Sequence, residues 1–212
     1  MNVQHQKTYH QEKISLNDKE IIIEGPASPD ALASYTFDEG LDAFRLPKEQ
    51  YAALLEISEL EEGRVIIARD GTHIVGYVTY HYPDPLERWS DNNLPYLLEL
   101  GAVEITLDYR AGGIAKKMIQ LSMEDPFVEN YIIITTEYYW HWDLKNTNLD
   151  VYEYKDIMIR LMASAGFEVY QTNDPEISAH PANTLMARVG KNIKRDQMME
   201  FDKIRFKNRF FF

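Results

Sequence analysis

The stretch VEITLDYRAGGIAKKM, from Val103 to Met118, changes its periodicity halfway along. Its first part alternates apolar and polar residues, which is typical of a β-strand. Its last part has the apolar spacing of an amphipathic helix and carries two adjacent lysines. Between the two parts lies the pair Gly112–Gly113, and tight turns favour this residue type. The stretch therefore predicts a strand that passes through a short turn directly into a helix.

The start of that helix is a candidate binding site for an anion. A helix N-terminus exposes unpaired N–H groups and the positive end of the helix dipole. Gly112 and Gly113 have no Cβ atom, so a phosphate group can come close to the backbone. Arg110 and Lys116 add positive charge beside it. The sequence has neither P-loop spacing nor G-x-G-x-x-G spacing, which argues against a nucleoside triphosphate and a Rossmann dinucleotide.

The spacing of Arg110, Gly113 and Ala115 follows the pattern Arg or Gln, two residues, Gly, one residue, Gly or Ala. In this position, after a strand and opening a helix, the pattern resembles the coenzyme A pyrophosphate loop of the GNAT acetyltransferases. The alternative interpretation is an ordinary strand–helix turn that tolerates glycine. The resemblance places the following residues at coenzyme A: Ile105, Leu107, Arg110, Ala111, Gly112, Gly113, Ile114, Ala115 and Lys116.

Length and composition indicate one globular domain in a reducing compartment. The chain has 212 residues, of which 45% are hydrophobic, and it has no cysteine. We find no apolar core of a secretory signal and no apolar run near the ~20 residues of a membrane span. We therefore expect a cytoplasmic protein with no membrane partner. The net charge of −12 argues against nucleic acid as a partner.

The segments around the quoted stretch alternate between strand and helix patterns. RVIIARDGTHIVGYVTYHY predicts a hairpin, because Asp70–Gly71 is a strong turn signal between two apolar runs. Further strands are predicted at Ile21–Gly25, Tyr131–Glu137, FEVYQT and LMARVG. Helices are predicted to begin at Pro29 and to span Pro47–Leu60, Val151–Ala165 and Lys194–Asn208. The predicted fold class is α/β, with a mixed central β-sheet flanked by helices and a C-terminal helical extension.

The C-terminal part of the chain is basic, unlike the rest. From Arg188 to the end there are eight Lys or Arg and three Asp or Glu, a local balance of +5. Solvated charge on a terminal helix and a docking surface for an acidic partner are both possible interpretations. We predict three parts: a polar N-terminal segment (residues 1–19), a GNAT N-acetyltransferase domain (residues 20–190) and the basic C-terminal extension (residues 191–212).

Three longer blocks carry a closer resemblance: VGYVTYHYPDPLERWS (75–90), TTEYYWHWDLK (135–145) and EISAHPANTLMARVGKN (176–192). They resemble the AcuA family of acetoin-utilisation protein acetyltransferases, over roughly residues 7–206. This resemblance implies a GNAT enzyme that uses acetyl-CoA, needs no metal, and acetylates and inactivates acetyl-CoA synthetase. Without it, the residues indicate only an acyl-CoA binder, so a non-catalytic acyl-CoA sensor or stoichiometric inhibitor stays an alternative.

Acetyl transfer to lysine needs a group that removes a proton. The amine has a reference pKa of about 10.4, so its neutral form costs about 4.6 kcal/mol at pH 7. Glu104 lies six residues before Arg110, where many GNAT enzymes carry a catalytic glutamate. By strand alternation it shares a face with Thr106 and Asp108, opposite Val103, Ile105 and Leu107. A salt-bridged structural carboxylate is the alternative role.

The chain lacks the usual proton donor for the leaving thiolate. Many GNAT enzymes carry a tyrosine four residues before a Gly-Phe pair, but here Met162 precedes Gly166–Phe167. Ile157, Leu161 and Met162 have core-facing spacing on the same predicted helix. Tyr152 and Tyr154, one or more turns earlier, are candidate proton donors, or else packing residues. Glu137, in the aromatic run EYYWHWD, is a candidate second base.

A rival interpretation rests on three possible metal ligands. His141, Asp143 and His180 match the two-histidine, one-carboxylate set of non-haem iron oxygenases. Those ligands normally lie on an all-β jelly roll, whereas this chain alternates strands and helices. His180 has a second possible role, beside the active site near the partner.

Overall fold

The computed structural model describes residues 5–110 and 112–207. Within them the strands are β1 (His10–Leu16), β2 (Lys19–Gly25), β3 (Thr36–Phe37), β4 (Arg64–Asp70), β5 (His73–His81), β6 (Leu97–Ile105), β7 (Ile132–Glu137), β8 (Glu168–Tyr170) and β9 (Thr184–Val189). The helices are α1 (Pro29–Ala33), α2 (Pro47–Glu59), α3 (Ile114–Ser122), α4 (Val151–Ala163), α5 (Pro175–Ser178) and α6 (Arg195–Arg205). The predicted α/β class with a mixed sheet and flanking helices is confirmed.

The chain divides into two compact units. The first unit contains residues 5–82, 100–110 and 112–128, and the second contains residues 83–99 and 129–207. Strand β6 runs through the division, because its first three residues belong to the second unit and its remainder to the first. No helix in the described part of the chain is long and apolar enough to span a membrane.

The first unit has a sheet with strand order β1-β2-β4-β5-β6, and the short β3 pairs in parallel with β5. β4 and β5 form the predicted hairpin, with Ile67 opposite Tyr77 and a turn at Gly71, whose φ is +58°. Helices α1 and α2 pack against this hairpin over a fully buried core: Leu32, Leu54, Val65, Ile67, Ile74 and Tyr77. The Tyr77 hydroxyl in this core therefore needs a hydrogen-bond partner inside the protein.

The second unit has β7 in the middle of its sheet. β7 pairs in parallel with the first residues of β6 and antiparallel with β9, which in turn pairs with β8. Its core contains Trp89, Leu97, Ile132, Ile134, Leu185, Phe201 and Ile204. The last two residues lie on α6, so the basic C-terminal helix packs its apolar side into this unit.

Several charges of that basic segment have acidic neighbours. Lys203 pairs with Glu200 at 2.6 Å, and Lys207 pairs with Asp91. Such exposed pairs stabilise little, but they reduce the local positive charge. The docking interpretation of the segment stays a hypothesis, and its Phe-rich end (residues 208–212) lies outside the described residues.

The N-terminal region contains a strand that the sequence patterns do not indicate. HQEKISL (His10–Leu16) is mostly polar, yet it forms β1 and pairs along its whole length with β2. Its residues alternate between half-buried and exposed, as in an edge strand with one covered face. Because both faces of β1 carry polar side chains, the sequence shows no regular alternation of apolar and polar residues. The domain boundaries drawn from the sequence stay predictions.

Candidate functional site

The strand of the opening stretch ends earlier than its alternation indicates. β6 stops at Ile105, and Leu107–Tyr109 form a short 3₁₀ turn. As a result Thr106 is buried with Glu104 and Ile105, whereas Leu107 is 55% exposed and Asp108 is also exposed. The predicted shared face of Glu104, Thr106 and Asp108 is therefore wrong beyond the strand end, because a 3₁₀ turn does not keep a two-residue period.

The backbone then turns into α3 through Gly113. This residue has φ +73° and is the N-cap of α3, with no side-chain cap hydrogen bond among the described residues. A Cβ atom added to Gly113 would meet nothing within 4 Å, so the space in front of the helix is open. No side chain at the N-cap position satisfies the first N–H groups of α3, and the binding of an anion there stays a prediction.

Gly112 lies against the N-terminal strand. A Cβ atom on Gly112 would come within 2.6 Å of Leu16 Cδ1, which is closer than carbon atoms approach. A side chain at residue 112 would therefore require the Leu16 side chain to turn away. Ala111, which was also predicted at coenzyme A, lies outside the described residues.

Side chains outside the motif hold the turn in place. Tyr109 Oη donates to Asp70 Oδ2 at 2.7 Å, and Lys19 Nζ donates to Tyr109 Oη at 2.7 Å. Lys19 also pairs with Asp70 at 2.8 Å. Arg110 Nε donates to the carbonyl of Ile105 at 3.1 Å, which closes the turn on the end of β6. Lys19 and Asp70 stand far from the motif in sequence, so its spacing holds no signal for them.

The remaining motif residues divide between core and surface. Ile105 and Ile114 are buried, Ala115 is half-buried, and Lys116 is exposed at the first turn of α3. Thr106 is buried, and its Oγ1 has no hydrogen-bond partner among the described residues. An uncapped helix end and an open approach at Gly113 are both features of an anion site.

Glu104 is held by two donors within the first unit. It is only 5% exposed. Tyr77 Oη donates to its Oε2 at 2.5 Å, and the backbone N–H of Ala43 donates to its Oε1 at 2.7 Å. Burial, and then the hydrogen bond to Glu104, raise the pKa of Tyr77, so the phenol stays protonated and donates. Tyr77 stands 27 residues from Glu104 and has no motif, so sequence reasoning missed it.

Glu137, the candidate second base, is buried in the second unit. Thr135 Oγ1 donates to its Oε1 at 3.0 Å, and Trp142 Nε1 donates to its Oε2 at 3.3 Å. Burial raises its pKa above the ordinary value of a glutamate, although both hydrogen bonds act in the opposite direction. A buried carboxyl of this kind holds its proton more tightly than an exposed one.

The residues predicted around the leaving group differ in exposure. Tyr152 is 53% exposed, and its ring stacks near that of His180 with centroids 6.4 Å apart. Met162, at the position where many GNAT enzymes have tyrosine, is fully buried, whereas Ile157 is 40% exposed despite its core-facing spacing. Helix α4 thus packs through a narrower stripe than its sequence indicates.

The three proposed metal ligands do not form a site. His141 Nε2 accepts from Trp140 Nε1 at 3.1 Å, and His180 Nδ1 accepts from the backbone N–H of Ala182 at 3.1 Å. Across residues 5–110 and 112–207, no group of three or more His, Asp or Glu side chains could hold a metal ion. The oxygenase interpretation therefore has no ligand set in this part of the chain.

Glu99 is a buried acid that sequence reasoning missed. It is 7% exposed on β6, and Thr136 Oγ1 donates to its Oε1 at 3.2 Å. Burial and the nearby carboxylates of Glu87 and Asp84 raise its pKa to about 8, against the hydrogen bond from Thr136. A glutamate inside the apolar run YLLEL was the available signal.

Glu99→Gln is expected to flatten the dependence of stability on pH. The folded pKa of about 8 exceeds the ordinary 4.5, so between these values the folded state keeps a proton that the unfolded state has lost. Stability therefore falls as pH rises through this window, by at most about 1.4 kcal/mol per pH unit. Glutamine cannot ionise, so urea unfolding should find the variant more stable than wild type near pH 8 and equal to it near pH 4.

Glu129→Gln is the matched control in the same unit, because Glu129 pairs with Arg188 at 2.5 Å and its pKa is lowered. Burial raises that pKa, but the Lys191 N–H and the Arg188 side chain outweigh burial. This variant should lose stability above about pH 5. Parallel wild-type and Glu99→Gln curves across the window would mean that Glu99 is ionised in the folded protein.

Comparison with known proteins gives close relatives of the whole chain. The acetoin utilization protein AcuA of Bacillus subtilis (strain 168) is 52% identical over 210 residues, which are 99% of this chain and 100% of that protein. A crystal structure of an acetoin utilization protein from Exiguobacterium sibiricum is 49% identical and has a TM-score of 0.94, with 97% of each chain covered. No family model matches the chain.

A more distant structure identifies the fold. An acetyltransferase of the GNAT family from Streptococcus pneumoniae is 12% identical, with a TM-score of 0.52 over 80% of this chain and 99% of that one. At this identity the likeness concerns the fold alone. The predicted GNAT fold is confirmed.

Proposed function

This chain belongs to the AcuA family of acetoin utilization proteins, and we propose that it is an N-acetyltransferase that transfers the acetyl group of acetyl-CoA to a protein lysine. One observation carries the proposal. In a single unit, the strand with the buried Glu104 runs into the uncapped N-terminus of α3. A proton acceptor and an anion site therefore stand at the two sides of one short turn.

Coenzyme A is held in this proposal by the turn and the first residues of α3. The N–H groups of Ile114, Ala115 and Lys116 bind the pyrophosphate, since they are the first amides of an uncapped helix. Arg110 and the Lys116 side chain add positive charge, which matters in a chain whose net charge is −12. The backbone at Ile105 and Leu107, where β6 ends, borders the rest of the cofactor.

The reaction proceeds by direct attack of the lysine amine on the thioester carbonyl. Glu104 takes one proton from the lysine ammonium, directly or through water, and the neutral amine forms the new C–N bond. The C–S bond then breaks, the electron pair leaves with the sulfur of coenzyme A, and the attacking nitrogen loses its second proton to the thiolate or to water. The chain has no cysteine, the residue type best suited to carry the acetyl group covalently, which favours a ternary complex.

The departing thiolate needs little help. A thiol has a reference pKa of about 8.5, so the thiolate is a tolerable leaving group near neutral pH. Met162, buried at the usual tyrosine position, has no proton to give. Tyr152 as proton donor and Glu137 as second base stay predictions, and substitution of each to Phe and Gln tests them separately.

We further propose that the protein substrate is acetyl-CoA synthetase and that acetylation switches it off in the cytoplasm. The AcuA resemblance implies this partner, and the name of the relatives refers to acetoin utilization. Acetylation removes the positive charge of a lysine, so an active-site lysine of the partner would lose its ion pairs.

The buried Met162 also favours a second candidate, a non-catalytic acyl-CoA sensor that inhibits the same partner by binding it. The enzyme would leave the synthetase acetylated, whereas the inhibitor would leave it chemically unchanged. Incubation with acetyl-CoA and purified synthetase, followed by intact-mass analysis, should find the synthetase heavier by an acetyl group and inactive after the two proteins are separated. Inhibition without a mass gain, reversed on separation, would establish the inhibitor instead. Omission of acetyl-CoA is the control.

A further inference from the structure

The hydroxyl of Tyr77 reaches Glu104 inside the core of the first unit. Tyr77 has no exposed surface, and its Oη lies 2.5 Å from Glu104 Oε2. Its ring packs beside Phe37, with ring centroids 6.1 Å apart, so the phenol is fixed in direction. A short hydrogen bond to a buried carboxylate belongs to the strong, charge-assisted class. The hydrogen bond between Tyr77 and Glu104 should therefore be stronger than one at the protein surface.

The second donor to Glu104 comes from the loop after β3. Ala43 N–H lies 2.7 Å from Glu104 Oε1, in an exposed segment whose neighbour Leu41 is fully buried. A carboxylate has about four lone-pair directions, and the two donors occupy two of them. Glu104 can thus keep both hydrogen bonds and still receive a proton.

We propose that Tyr77 is a positioning residue of the acetyl transfer, whose hydroxyl holds the Glu104 carboxyl group in the direction of the incoming lysine. This inference rests on the proposed function, in which Glu104 is the proton acceptor. The two donors fix the direction of the carboxyl group, because each of them binds a different oxygen. Burial and then the hydrogen bond to Glu104 raise the pKa of Tyr77, and the Arg45 guanidinium, in the same loop as Ala43, acts in the opposite direction. The phenol therefore remains a donor across the working pH range.

Tyr77→Phe removes one oxygen atom and tests the inference through the separate effects on kcat and KM. A typical charged hydrogen bond corresponds to a factor of roughly 10–100. The kcat for lysine acetylation should therefore fall by about that factor, while the KM and the affinity for acetyl-CoA stay at the wild-type values.

Tyr80→Phe is the matched control. Tyr80 is also buried on β5, and its hydroxyl bonds Ser122 Oγ at 2.6 Å rather than Glu104. Both variants lose one buried hydrogen bond, so both should lose stability. Only Tyr77→Phe should lower kcat by this factor.

Two further measurements separate failure of this inference from failure of the proposed function. In a Glu104→Gln background, Tyr77→Phe should lower kcat no further, because Tyr77 acts through Glu104. Carbon-13 NMR of the glutamate carboxyls, with Glu104 assigned from the signal missing in Glu104→Gln, needs no activity. The Glu104 carboxyl signal should move in Tyr77→Phe and stay in place in Tyr80→Phe, and an unmoved signal in Tyr77→Phe would overturn the inference even in an active enzyme. An inactive wild-type protein with a moved signal would instead contradict only the proposed function.

Discussion

Glu104→Gln should keep the affinity for acetyl-CoA and lose turnover by about 10²–10⁴, the usual loss when a positioned base is removed. The glutamine oxygen can still accept from Ala43 N–H, and its NH2 group can donate to the Tyr77 hydroxyl in place of the bond that Tyr77 now donates, so the shape of the site is kept. It cannot take a proton at neutral pH. Hydroxide replaces the base in part, so the rate of the variant should keep rising with pH where wild type is level. Stopped assays across pH, with calorimetry for acetyl-CoA, measure both effects.

Two outcomes would contradict this role. Near-normal turnover at pH 7 would remove Glu104 from the mechanism and direct attention to Glu137 and His180. Loss of both turnover and acetyl-CoA affinity would identify Glu104 as a structural carboxylate that holds the loop carrying Ala43.

Gly113→Asp should abolish tight binding of coenzyme A without unfolding the protein. The added carboxylate would stand where the proposed pyrophosphate binds, and two unit charges ~4 Å apart near a protein surface repel by about 4 kcal/mol, roughly 10³-fold in affinity. The fold should survive, because a Cβ atom at Gly113 meets nothing within 4 Å. Aspartate also tolerates the φ of +73° better than most residues. Calorimetry with coenzyme A measures the loss.

Gly113→Asn separates charge from shape. Asparagine has nearly the same size and the same tolerance of positive φ, but it carries no charge. It should bind coenzyme A much more tightly than the aspartate variant. Wild-type affinity in a folded Gly113→Asp protein would move the phosphate site away from α3.

Local patterns predicted the parts of the fold that depend on neighbours in sequence. The hairpin at Asp70–Gly71 and the strand–turn–helix at Gly113 both form, because turn chemistry and periodicity act over a few residues. The alternation through Glu104 failed after Ile105, where the chain leaves the sheet and a 3₁₀ turn sets the side-chain directions.

The partners of the site could not be predicted in the same way. Tyr77, which holds Glu104, and Lys19, which holds Tyr109, reach the site only because strands distant in sequence pair in the sheet. Strand β1 was missed because an edge strand with one half-covered face can be almost entirely polar. The residue spacing predicted the turn before α3. The side chains that support this turn come from strands that meet only in the folded sheet.

The Leu16 side chain occupies the space into which a side chain at position 112 would extend. Alanine at position 112 would bring a methyl group to within 2.6 Å of the leucine Cδ1, so the two side chains could not both keep these positions. Because Leu16 is only half-buried and its Cδ1 lies at the end of a flexible side chain, a change of rotamer can make this room at low cost. Among homologues, a larger residue at position 112 should therefore occur with a leucine that has turned away or with a smaller residue at position 16.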